Sequence, residues 1–338
     1  MKGNFANRTI PVFLCSLLIG GMTARAQQAQ TNPPALSADE QKLASNIMSA
    51  KDAAGKLNAA AELIKKHPKT SIRLRVAGNM ANEVANVKDN TQKLTLAQQL
   101  ESIFNDPAEI DIVGPVIVQA YADANQPDQA FAKGAELLSH APDALTLLVQ
   151  LAATGGEQAK KQNAKFVPQS IQYTTHAIEL MEGDKKPADI DDARWSQYKA
   201  QTLPGLYQTR GLLNLAKGDK AEAKANYLKA SQLNPADAYN FVMLAAMLND
   251  EYQAEAKQYQ SLPAGATRDQ QLKKVQGLLD SVIDAYARAI ALSEGNAALQ
   301  QIRQQYAEDL ASYYKYRHNG STDGMQQLID KYKSPPKP

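Results

Sequence analysis

Between Tyr207 and Pro235, small residues, aromatics and a proline stand at intervals that two closely packed helices require. Gly211 and Ala223 are small where a first and a second helix must approach one another. Tyr227 and Ala230 lie three apart and share one face of the second helix, so one fills the gap to the next element and the other leaves room for it. Pro235 cannot continue a helix and closes the unit. Tyr286 and Ala289 repeat the same spacing much later in the chain. Composition agrees with a helical reading: aromatics are 6% and hydrophobics 44%, and Ala, Leu, Gln and Lys outweigh runs of Val, Ile or Thr. The expected fold class is all-α.

The 207–235 pattern resembles a tetratricopeptide repeat, a helix–turn–helix unit of about 34 residues. It departs from the family at Tyr207, where Trp is frequent, at Arg210, where an apolar residue is usual, and at Asn214, where Tyr is usual. The resemblance is close over 203–294. It is looser over 110–142, where Tyr121, the turn Asn125-Gln-Pro-Asp128, Ala130 and the closing Pro142 stand in the expected places. Pro107 and Pro142 are 35 residues apart, close to one repeat. The resemblance implies an α–α superhelix, a solenoid of about six to seven helical pairs.

The first 26 residues do not belong to that fold. Lys2 and Arg8 are followed by an apolar stretch from Ile10 to Met22 and by the small-x-small site Ala24-Arg25-Ala26, the pattern of a secretory signal peptide. The apolar stretch is shorter than the roughly 20 residues a membrane-spanning helix needs, and Leu14 before Cys15 does not fit a lipoprotein signal. Cleavage after Ala26 removes Lys2, Arg8 and Arg25 from the 37 basic residues and none of the 35 acidic ones, leaving a formal charge of −1. A near-neutral mature chain offers no electrostatic case for nucleic acid or an anionic membrane surface. Cys15 leaves too, so the mature chain has no disulfide, cysteine metal site or cysteine nucleophile. The expected location is the periplasm or the exterior of the cell, with no membrane span after cleavage.

The rest divides into a polar linker at 27–38, divergent helical repeats at 39–182, a C-terminal repeat region at 190–332 and a polar tail at 333–338. Leu43, Ile47 and Met48 mark a first helix capped by Ser37 or Asp39, and 57–67 a second that ends in basic residues before Pro68. Helices follow over about 71–87 and 91–104. The fourth pair reads as 144–153, a break at Thr154-Gly155-Gly156, and 167–181. Asp191 to Pro204 reads as a helical lead-in carrying Trp195 and Tyr198, which Pro204 should kink or interrupt. After a helix at 238–248 the chain inserts a polar segment, 249–274, where a tight turn is expected, and long loops of this kind are functional or mobile. The second helix of that unit resumes over 278–292, and a closing pair at 296–316 and 325–332 caps the array.

Signatures of chemistry are sparse. His67, His140, His176 and His318 form no His-Glu-x-x-His pattern, and the glycine pairs match no phosphate loop or dinucleotide fingerprint. No catalytic residue, metal site or cofactor is expected. Asp191-Asp192, and Asp106 with Glu109, read as carboxylates complementing helix starts. Asn319-Gly320-Ser321 fits a glycosylation sequon. Among the C-terminal tyrosines, Tyr306 and Tyr313 are expected to pack between helices, and Tyr314 or Tyr316 to face outward.

The resemblance implies that first helices line a concave groove that binds a peptide or a partner protein. The groove positions of the family fall here on Gln208, Leu212 and Leu215, then on Tyr239, Val242, Ala246 and Asn249. Relatives that grip a terminal carboxylate carry Lys and Asn at comparable places, so a carboxylate clamp is not supported. The leading expectation is an exported, non-catalytic scaffold, with self-association through the terminal helices as a variant. Two other classes are weighed against it. One is small-ligand or glycan binding, for which an exposed Trp195 would be the natural platform; the other is a hydrolase site in 249–274, whose acids are Asp250, Glu251, Glu255 and Asp269.

Overall fold

The structure, a computed structural model, describes residues 35–187 and 190–333. The expected signal segment, the linker up to residue 34 and the tail from residue 334 lie outside the described residues. Within them the protein is all-α, with fourteen α-helices and no strand. It divides into two compact units, one comprising 35–158 and 172–198, the other 159–171 and 199–333.

The first unit is built from α1 (Ala38–Ser49), α2 (Ala53–Lys66), α3 (Arg73–Ala85), α4 (Asn90–Ile103), α5 (Pro107–Asp123), α6 (Pro127–His140) and most of α7 (Leu145–Lys160). Their starts are set locally. Ser37 and Glu40 form a capping box on α1, Asp52 and Asp89 accept from the third residues of α2 and α4, and Asp106 with Glu109 boxes the start of α5. Each such cap is worth about 1 kcal/mol because it satisfies donors that the helix leaves unpaired. Asp39, the other capping candidate, instead accepts from His67 Nε2 at 2.8 Å, joining the start of α1 to the end of α2. From α1 to α6 each helix packs on the next, and α2 also meets α4 and α3 meets α5. That alternation is what stacked helical hairpins produce, each hairpin burying its apolar side on its neighbour.

Leu57, Leu63, Met80, Leu100, Phe104 and Ile117 are among the side chains fully buried by this stacking. At Gly134 on α6 a Cβ would sit 2.6 Å from Leu151 of α7, so only glycine permits that approach. One ion pair is buried with them. Glu109, 1% exposed, receives the Arg73 guanidinium, which also donates to the carbonyls of Ile103 (3.3 Å) and Pro68 (3.2 Å). The pair ties the α2–α3 turn and the end of α4 to the start of α5, with its donors and acceptors satisfied as burial demands.

The second unit holds the larger part of α9 (Asp192–Lys217), then α10 (Lys220–Leu233), α11 (Ala238–Ser261), α12 (Ala266–Leu292), α13 (Gln300–Arg317) and α14 (Met325–Asp330); α8 spans Val167–Glu182. Helix α10 packs on α11, α11 runs along α12, and α12 carries both α13 and the short α14.

Three expectations are corrected. Thr154-Gly155-Gly156 is no break: α7 continues through buried Gly155 and Gly156 to Lys160, and the chain turns at Gln162, whose φ is 62°. Pro204 does not end α9, which runs unbroken on either side of it. There Thr202, Leu206 and Tyr207 are buried, and packing offsets the lost backbone hydrogen bond. The insertion 249–274 is not a loop but the far half of a long hairpin, turning only over Leu262 to Gly265. With 24 and 27 residues, α11 and α12 are about 36 and 40 Å long, against about 21 Å for the 14 residues of α10. Tyr252, Ala256 and Tyr259 at helical spacing on α11, and Val275, Leu278 and Leu279 on α12, belong to one apolar cluster, and this seam keeps the arm helical.

Candidate functional site

The site is built on a core that recurs between α9–α10 and α11–α12. Tyr227 is fully buried at 0% exposure, with Ala223 and Ala230 beside it on α10, and its ring is the reason for Gly211: a Cβ there would lie 3.0 to 3.1 Å from the ring atoms. Tyr239 meets Tyr227 edge-on, with centroids 6.3 Å apart, and burial pushes the Tyr227 hydroxyl well above its ordinary value. In the second hairpin Tyr286 and Ala289 are buried in the same way, and Tyr286 packs on Tyr306 at 4.5 Å. Pro235 follows the end of α10, as expected.

A second correspondence was not foreseen. Lys229, two residues after Tyr227, lies 5.9 Å over the ring of Tyr207; Arg288, two residues after Tyr286, lies 5.7 Å over Phe241. Phe241 follows Tyr207 by 34 residues, and fully buried Ala245 follows Gly211 by the same interval. Arg210, which departs from the family pattern, has a partner: its Nε donates to the Oδ1 of buried Asn226 at 2.5 Å, and its guanidinium lies 5.0 Å over Tyr207.

The groove positions separate into three groups. Gln208 donates to Asp237 at 2.8 Å and to Asn240 at 3.1 Å, linking α9 to the first turn of α11. Leu212 and Leu215 follow it at i+4 and i+7, lie on the same side of α9, and are half-buried. Asn249 is half-buried and accepts from the Tyr313 hydroxyl at 2.7 Å. Val242 is 3% exposed, and its carbonyl accepts from the Tyr306 hydroxyl, so it is a core residue and not a groove one.

Helical geometry explains Val242. Ala238, Phe241, Val242, Ala245 and Tyr252 all turn into the core shared with α12 and α13. At about 100° per residue, Tyr239, Met243, Ala246 and Met247 fall on the opposite side of α11. All four are half-buried. Met243 and Met247 went unread because helical phase depends on which neighbours define the core, and they share their side of α11 with buried Asn240 and Leu244. Leu212 and Leu215 of α9, and Tyr239, Met243, Ala246 and Met247 of α11, are thus partly buried apolar side chains on the two helices that Gln208 links.

Several polar groups beside them are engaged. Besides Gln208 and Asn249, Asp250 meets Lys220 at 2.8 Å and Glu251 meets Lys224 at 2.6 Å. Along the arm Glu255 is held by Lys274 (2.7 Å) and Gln271, which keep its carboxyl below the ordinary carboxylate range. Of the acids weighed for a hydrolase site, three are thus in ion pairs, and Asp269 stands exposed in the first turn of α12.

Trp195 is 3% exposed, its indole N–H donating to Asp184 at 2.8 Å beside Tyr198, so it presents no stacking platform. Among the C-terminal tyrosines, Tyr306 and Tyr313 pack as expected. Tyr314 is also buried, donating to the Asp323 carbonyl at 2.9 Å, while Tyr316 is 75% exposed. His176 meets Asp143 at 2.8 Å, and His318 stacks on Tyr314 at 4.1 Å. Among the described residues no three His, Cys, Asp or Glu side chains are grouped to hold a metal ion, and no helix is long and apolar enough to cross a membrane. Compared with protein-family models and with curated proteins, the chain matches none.

Proposed function

We propose that the protein is an exported, non-catalytic scaffold of the tetratricopeptide type, which holds a protein or peptide partner on the face shared by α9 and α11. The observation that carries this reading is the 34-residue recurrence of core positions from α9 to α11, Tyr207 to Phe241 and Gly211 to Ala245, on helices that also carry the partly buried apolar side chains Leu212, Leu215, Tyr239, Met243, Ala246 and Met247. The secretory pattern of residues 1–26 supports a role in the periplasm or outside the cell, in envelope assembly, secretion or a surface complex. The recurring Tyr–Ala spacing and the matched cation–ring contacts support the repeat assignment.

The test is a crosslinking pull-down from a cell-envelope fraction with the mature chain and a variant carrying Leu212→Glu and Met243→Glu. Both positions are partly buried, so circular dichroism first checks that the variant keeps the helical fold of the parent. Capture of a specific protein by the parent and its loss with the variant is the expected result. Recovery of the same proteins with both would show that this face does not bind them.

A further inference from the structure

We propose that Asn319 is a site of spontaneous deamidation and backbone isomerisation, gated by the cap that ends α13, and that the reaction loosens the α13–α14 junction as the protein ages. Asn319-Gly320 is the one Asn–Gly pair in the chain, and Asp323-Gly324, the one Asp–Gly pair, follows four residues later in the same loop. A glycine after asparagine leaves the peptide nitrogen unshielded by a side chain, so that nitrogen can reach the asparagine amide carbon. Both residues of the pair are exposed. In the folded chain the nitrogen is held: the Gly320 N–H donates to the Lys315 carbonyl at 2.7 Å, the bond that closes a helix end whose Asn319 stands in the left-handed region at φ 52°. The loop is pinned again where the Tyr314 hydroxyl donates to the Asp323 carbonyl at 2.9 Å. An exposed helix end of this kind opens at small free-energy cost, so the pair reacts from a brief opening of the last turn.

The step needs only water. In the opened turn the Gly320 nitrogen gives up its proton to solvent and attacks Cγ of Asn319. The new C–N bond closes a succinimide ring, and the side-chain nitrogen takes up a proton and leaves as ammonia. Water then opens one of the two imide carbonyls, giving aspartate or, where the chain now runs through the side chain, isoaspartate. Asp323 offers a carboxylate, a poorer electrophile than an amide, and reacts more slowly. Either product places a negative charge at the carboxyl end of α13, where the helix dipole disfavours it. Isoaspartate also adds a methylene to the backbone, so the Gly320–Lys315 bond cannot re-form in its old geometry. Helix α14 keeps its own anchors, buried Ile329 and the Tyr332 hydroxyl on Asp284, so the loosening falls on the last turn of α13 and on the loop.

The test incubates the mature chain at neutral pH, folded and in urea, and locates isoaspartate by peptide mass spectrometry and isoaspartyl methyltransferase labelling. Asn319 is expected to convert ahead of every other asparagine of the folded chain, at least about tenfold more slowly than in urea. Tyr314→Phe, which removes the bond to Asp323, should speed conversion of the folded chain about threefold, and Asn319→Gly, which keeps the left-handed turn, should abolish the product there. The isoaspartate form, separated by ion exchange, should exchange the amides of 315–321 faster than the parent, with Asn319→Asp between the two. If the folded chain forms no isoaspartate at Asn319 while the chain in urea does, the cap closes the site and the proposal falls. Equal rates in the two conditions, or no response to Tyr314→Phe, would remove the gate. Unchanged amide exchange in the isoaspartate form would overturn the loosening of the junction.

Discussion

The α9–α10 and α11–α12 hairpins share a core and differ in length. Each buries a tyrosine of its second helix, Tyr227 against Gly211 and Tyr286 in the cluster that also holds Ala245, and each places a cation two residues later over an aromatic ring. Yet α9 and α10 are joined over Gly218 and Asp219, whereas α11 and α12 run on to a turn at Leu262 to Gly265. The recurring contacts sit at the base of each hairpin, and beyond them the two helices need only keep an apolar seam between them. Length can therefore be added at the tip without disturbing the stack, which is the property that makes hairpin repeats tolerant of insertion.

The largest expected effect tests whether the two cores are equivalent. Tyr227→Ala and Tyr286→Ala should each cost about 3–5 kcal/mol by leaving an aromatic-sized cavity, read as loss of hydrogen-exchange protection in the hairpin concerned. An effect confined to one of them would break the equivalence. Gly211→Ala comes next: the added methyl meets the Tyr227 ring, and a loss of about 1–3 kcal/mol is expected from denaturant unfolding. Ala245→Gly, the corresponding change in the other hairpin, should cost about 1 kcal/mol through helix propensity alone.

Replacing 256–271 by a Gly-Asp turn shortens the long hairpin while keeping Tyr252 and Val275 in the core. A change near 1 kcal/mol is expected, measured by thermal melting. A loss as large as that of Tyr286→Ala would show that the arm supports the core. The smallest effects concern the two cations. Lys229→Ala should cost about 0.5–1 kcal/mol at its exposed site, and Arg288→Ala somewhat more, because Arg288 also pairs with Asp284 and lies 4.3 Å over Tyr332. Equal losses would mean that these extra contacts add nothing.

Much of this was legible in the residues. Helix starts at Ser37 and Asp106, ends before Pro68 and Pro142, and the burial of Tyr227, Ala230, Tyr286 and Ala289 all follow from spacings of three to four residues. The arm was misread because its Lys, Gln and Glu residues look like loop composition, although Tyr252, Ala256 and Tyr259 already carried helical spacing. Of the positions the resemblance placed in a groove, Leu212, Leu215 and Tyr239 are partly buried, and Val242 is buried with its carbonyl accepting from Tyr306.

The chain by itself therefore determined that this protein is helical, where most helices begin and end, and which tyrosines and alanines fill their junctions, since each of these depends on groups within one turn of one another. Tertiary structure alone decided that Trp195 is closed off against Asp184, that α7 and α9 run on through their glycines and proline, and that Val242 turns into the core. Those outcomes depend on which neighbouring helix supplies burial and which buried partner awaits each polar atom, and such neighbours are distant in sequence.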